Sequence, residues 1–147
     1  MAVNVDISNR QTIHPIKTKR LTARVRTILN ALAYSEAELS LLLVDDAEIS
    51  RLNQDYLGRQ GPTNVIAFPM QEGPFTEINP RLLGDVVISV ETAAADAEKT
   101  GFTLEEMLDF YLIHGILHLL GYDHEGSPGE AARMEAKSKE IWRMLGN

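Results

Sequence analysis

Residues 114–124 read HGILHLLGYDH, and three of the chain's four histidines, His114, His118 and His124, fall in this one window. His114 and His118 are four apart in a stretch that reads as helix, so both imidazoles project from one face with Cβ atoms about 5–6 Å apart. Rings so placed reach a common metal ion at the usual zinc–nitrogen distance of about 2.0–2.1 Å. Gly121 can take the left-handed backbone that ends a helix, and the returning chain then offers His124 from a loop as a third ligand. Three nitrogen donors leave the fourth tetrahedral position open, as in a catalytic rather than a structural zinc site. The competing reading, satisfied histidines on a buried helix face, suits one such residue better than three at this spacing.

The pattern H-x-x-x-H-x-x-G-x-x-H is the metzincin ligand spacing without its glutamate, because the residue after His114 is Gly115. In peptidases that carboxylate takes the proton of the attacking water, so peptide hydrolysis is disfavoured. Phosphodiester cleavage is the more natural chemistry, since charge builds on oxygen and suits a Lewis acid assisted by a cation. No side chain declares itself as the general base. An all-histidine site also accepts nickel, cobalt or copper, so zinc is the first expectation among divalent ions rather than the only one.

The rest of the composition bounds the answer. A chain of 147 residues, 44% apolar and 24% charged, is expected to form one domain over residues 1–147 around one core. It has no cysteine, so disulfides and thiolate ligands are excluded and a metal must be held by His, Asp or Glu. The N-terminal MAVNVDISNR lacks the pattern of a signal peptide, and no apolar run approaches the roughly 18–20 residues of a membrane span. A cytoplasmic protein without membrane association is expected. The net charge of −7 is uneven: residues 1–30 carry six basic side chains against Asp6 alone, the remainder eight basic against twenty acidic. Lys17 to Arg26 read either as the solvated face of an amphipathic helix or as a local polyanion patch.

Periodicity gives an α+β chain, a mixed sheet of about four strands packed by four to five helices. Strands are expected at 3–7, 39–44, 64–69 and 84–90. A helix opening at Pro15 and running to about Tyr34 carries Leu21, Val25, Ile28, Leu29 and Leu32. Asp45 or Asp46 caps a second helix through AEISRLNQDYL, a third ends at Gly101, and capping signals at Thr103/Glu106 and Ser127/Glu130 start the last two. Residues 71–81, with two prolines and a glycine, must form a loop.

Set beside LNQDY, GPTNVIAFP and LGDVVISVETA, the histidine window makes the chain resemble the bacterial YbeY family from about Leu41 to Met144. The resemblance implies a compact mixed sheet with a zincin-like metal site and a zinc-type ion on His114, His118 and His124. It also implies a metal-dependent endoribonuclease acting on single-stranded RNA in small-subunit ribosomal RNA processing and ribosome quality control, with the small subunit or its proteins as partner. One departure stands out. The family usually reads Tyr-Arg-Gly before the Pro-Thr-Asn turn, whereas here YLGRQGPTN places Leu57 where the arginine is expected and Arg59 two residues later. Arg59 is therefore the candidate for gripping RNA phosphate, with an ordinary surface arginine as the alternative. Two other functions stay open: a non-catalytic ribosome-assembly factor with a structural metal, and a metallopeptidase lacking the usual glutamate. Thr63 and Asn64 read as substrate donors or turn formers. Asp85 reads as a cleft carboxylate or, preferably, a strand-end one. Asp123 would orient a ligand histidine or satisfy its turn, Tyr122 would pack, and His14 would sit exposed in a loop.

Overall fold

The computed structural model describes residues 3–70, 81–123 and 125–147; His124 and most of the expected loop 71–81 lie outside them. The order is β1 (Asn4–Asn9), α1 (Thr18–Ala31), β2 (Glu38–Val44), α2 (Asp46–Leu57), β3 (Val65–Pro69), β4 (Leu82–Ser89), α3 (Val90–Thr100), α4 (Leu104–Leu119) and α5 (Pro128–Met144). The sheet runs β1-β2-β4-β3. β1, β2 and β4 are parallel, and β3 pairs antiparallel to β4 at the edge, with Ile66 opposite Val87. The expected mixed α+β architecture is the one observed.

Alternation along the strands divides the interior. Leu39, Leu41, Leu43, Val86 and Ile88 point into the main core with α1, α3, α4 and α5. Val44, Ile66 and Val87 point the other way, to a small cluster under Ile49 of α2. Each fully buried aliphatic side chain such as Leu112 or Ile116 contributes roughly 1.5–3 kcal/mol relative to exposure.

Helix ends follow capping chemistry. Asp45 accepts from the Glu48 amide at the start of α2, and Ser127 from the Glu130 amide at the start of α5. Thr103 and Glu106 form a reciprocal capping box on α4. Helix α1 begins at Thr18 rather than Pro15, because the chain before it is held in a turn: the Gln11 side chain accepts from the His14 amide and donates to the His14 carbonyl. It ends at Ala31, where Ala33 takes a φ of 67° and the Tyr34 amide closes back on the Leu29 carbonyl. His14 is half-buried by that turn rather than exposed.

Two glycines let the site-bearing layers meet. A Cβ at Gly84, where φ is 139°, would lie 2.2 Å from the Phe68 carbonyl oxygen across the β3–β4 pair. A Cβ at Gly115, on the inner face of α4, would lie 2.7 Å from Val86 Cγ1 and 3.3 Å from Val65 Cγ2. Valine is stiff at χ1, so neither neighbour yields easily. Gly115→Ala is expected to lower stability by about 1–3 kcal/mol, the usual cost of overpacking, read as a lower urea midpoint at unchanged slope. An unchanged midpoint would show that α4 can ride up on the sheet at no cost.

Candidate functional site

From Met107 to Leu119 every residue of α4 is buried except Phe110, His114 and His118, which succeed one another at four-residue steps. The two imidazoles face each other, with Nε2 atoms 3.1 Å apart, ring centroids 4.6 Å apart and planes at 71°. Two donors at about 2.0–2.1 Å from one ion and at the tetrahedral angle lie about 3.3 Å apart, so the pair is set at the spacing of a shared ligand edge. Among the described residues no group of three His, Asp or Glu side chains gathers around a metal position, and His124 lies outside them.

The turn after the helix takes the expected form. Gly121 has a φ of 92°, its amide bonds the His118 carbonyl at 3.0 Å, and the Tyr122 amide bonds the Leu117 carbonyl at 3.0 Å. This is a Schellman closure with glycine at its left-handed position. Tyr122 packs against the core, and the Arg133 guanidinium of α5 lies 4.8 Å above its ring. The Asp123 carboxylate accepts from the Glu125 amide at 2.8 Å, so it organises the turn.

These histidines form one wall of a cleft of about 540 Å³. The opposite side comes from β3 and the segment before it, with Leu57, Arg59, Thr63 and Asn64 among the lining residues, and Asp123 at the turn. Gly58, at φ 64°, ends α2 and turns the chain. The buried Asn53 then holds the following loop: its side chain donates to the Gly61 carbonyl at 3.1 Å, and its carbonyl accepts from the Arg59 amide at 3.2 Å. Asn53 is a positioning residue that the sequence reading passed over. Its signal was a polar side chain one turn after Ile49, where an apolar one belongs.

Asn64 is committed to structure. Its Oδ1 accepts from the Val65 amide at 2.7 Å and its carbonyl from the Ser89 amide at 3.0 Å. Its side chain also bonds the Tyr111 hydroxyl, which in turn donates to Asp96 of α3. Burial first, and then the Asp96 carboxylate, push the Tyr111 phenol well above its ordinary range, so it remains a neutral strut between α3, α4 and the cleft wall. Asp85 does not face the cleft. It neighbours Val86, which points at α4, and therefore projects from the other face of the sheet, beside Ser40.

The basic segment is only partly turned inward. Arg20 bonds the fully buried Asp109 at 2.7 Å and Glu105 at 3.2 Å. Arg24 bonds the Leu145 carbonyl at 2.5 Å, and Arg26 the Val3 carbonyl at 3.4 Å. Arg20 and Arg24 clamp α1 to α4 and to the C-terminal end, whereas Lys17, Lys19 and Arg26 stay exposed, so the segment is part clamp and part solvated helix face.

Burial raises the Asp85 carboxyl above its usual range, with the Ser40 hydrogen bond partly opposing it. Below about pH 4 the group is protonated folded and unfolded alike. As pH rises past that point the unfolded chain loses the proton first, so stability falls until the folded carboxyl has also ionised. Asp85→Asn should therefore raise the Tm at pH 7, with the gain vanishing below about pH 4. A gain that persists at low pH would mean that the effect is not ionisation.

The sequence model described as Endoribonuclease YbeY matches residues 6–146. A Geobacter sulfurreducens protein of that name is 52% identical over 99% of this chain and 97% of its own length. A Moorella thermoacetica protein of the same name is 41% identical over 95% of this chain and 96% of its own. The solution structure of a Thermotoga maritima protein superposes with a TM-score of 0.61 at 26% identity, covering 96% of this chain and 91% of that one.

Proposed function

The chain belongs to the endoribonuclease YbeY family, and on that premise we propose that it cuts single-stranded RNA as a metal-dependent enzyme. The substrate we assign is small-subunit ribosomal RNA during maturation and quality control, met in the cytoplasm on the small subunit or its proteins. The observation that carries the metal dependence is the pair of imidazole nitrogens 3.1 Å apart in the cleft wall. One divalent ion, zinc first, would be held by His114 and His118, with His124 as the third ligand.

Such an ion supplies a Lewis acid for a phosphoryl oxygen. The chain's own residues supply binding and orientation. Arg59, which lines the same cleft, is the group to grip a neighbouring phosphate, since its planar fork makes paired charge-assisted hydrogen bonds. Leu57 lines the same cleft, so moving the family's arginine by two residues keeps a guanidinium within it. Asn53 holds the loop that presents Arg59, and the Asn64–Tyr111–Asp96 chain stiffens the wall beside it. Among the described residues no helix is long and apolar enough to cross a membrane. Arg20 and Arg24 of the basic segment are occupied within the fold.

Single-stranded RNA incubated with the native protein, the chelated protein and His114→Ala should be cut by the first alone. Elemental analysis should find one equivalent of zinc-type metal, lost in His118→Ala. Arg59→Ala should slow cleavage about 10- to 100-fold, the equivalent of one charge-assisted contact of about 1.5–3 kcal/mol, with metal content unchanged. Equal cleavage by the native protein, the chelated protein and His114→Ala would overturn metal dependence, and an unaffected Arg59→Ala would return Arg59 to the ordinary surface.

A further inference from the structure

His114 borders two cavities. Besides the cleft, it lines a groove of about 610 Å³ between α4 and α5, together with Phe102, Phe110, Ile113, Met134 and Trp142. Phe110 is 45% exposed, unusual for a large aromatic on an otherwise buried helix. Its ring meets Trp142 edge-on at 6.1 Å and 81°, while Trp142 lies tilted over Phe102 at 5.4 Å and 31°. Lys139 and Glu135 also line the groove and pair with each other at 3.1 Å.

We propose that this groove is a base-stacking subsite: it receives one unpaired nucleobase of the RNA whose phosphate is held at the histidines. The inference rests on the RNA reading above and extends it. The groove adjoins the cleft at His114, which lines both. Phe110 and His114 are one helical turn apart, about 6 Å along the axis, so the stacking face is within reach of the nucleoside next to a phosphate at the histidines. The Lys139–Glu135 pair leaves the groove without net charge, which suits a flat neutral base rather than a charged peptide. Bases stack on aromatic side chains whatever their identity, because each has a π-face. The groove therefore anchors an unpaired strand, while a duplexed base, already stacked on its neighbours, has no face to offer it.

Trp142 is the chain's single tryptophan, so its emission reports on this groove alone. Native protein is mixed with a short single-stranded RNA and followed by stopped flow before cleavage sets in, with anisotropy of labelled RNA recorded in parallel. Saturable quenching with the same midpoint as the anisotropy is expected, and one abasic nucleotide beside the cut should abolish it. Phe110→Ala should weaken binding about five- to hundredfold, the range of one base–aromatic stack. Phe110→Tyr should bind within about twofold of the native protein, and circular dichroism would confirm that both variants fold. RNA binding without an emission change, or with equal affinity in Phe110→Ala, would overturn the subsite and leave the RNA reading intact. No RNA binding at all would remove both. A wild-type dimer in sedimentation that Phe110→Ala dissolves would assign the groove to a second copy of the chain and overturn the proposal.

Discussion

Helix α4 lies so close to β3 and β4 that a methyl group at position 115 would come within 2.7 Å of Val86. Contact at that range fixes both the depth of the helix and its rotation about its own axis. Rotation in turn decides which side chains reach solvent, and here it leaves one narrow stripe open: Phe110, His114 and His118. A bulkier residue at 115 would lift or turn the helix, and the imidazoles would leave the cleft wall that β3 completes. The absent glutamate after the first histidine is thus also a packing requirement. Position 115 faces the sheet, where a carboxylate would be buried without water.

The legible parts of the chain were those written locally. Strand alternation, the Thr103–Glu106 box and the Gly121 stop are patterns of a few residues, and each stands close to where the sequence places it. Less legible were the features that depend on distant partners. Asp109 looks like one more surface carboxylate on an acidic helix, yet it is fully buried beneath Arg20, 89 residues away in sequence. Asn53 sits where the spacing from Ile49 calls for an apolar residue, and only the loop after Gly58 folding back onto it accounts for the amide. Nothing local in the sequence sets Phe110 and Trp142 apart; it is the packing of α4 on α5 that places both at an open groove.

Leu57 and Arg59 show how a turn can keep two neighbouring side chains on one cleft. Leu57 is the last residue of α2, and Gly58 reverses the backbone immediately after it at a φ of 64°. Side chains on either side of such a reversal can border the same space, as both do here. A two-residue shift inside a helix would rotate a side chain by about 200°, to the opposite face. Across a glycine turn the same shift leaves it in the cleft.

The placement of charge limits how a protein of net charge −7 can hold a polyanion. Within its most basic segment Arg20, Arg24 and Arg26 bond groups of the fold, while Lys17 and Lys19 stay exposed. Long-range attraction, which normally supplies much of the affinity for nucleic acid, works against that net charge. Locally, Arg59 and the two imidazoles border one cleft, and the aromatic groove lies beside it. Stacking does not depend on net charge, so it compensates where coulombic steering cannot. It also favours strands whose bases are already unpaired, since a paired base must first leave its stack. On the stacking proposal, preference for single strands follows from what the groove can accept rather than from net charge.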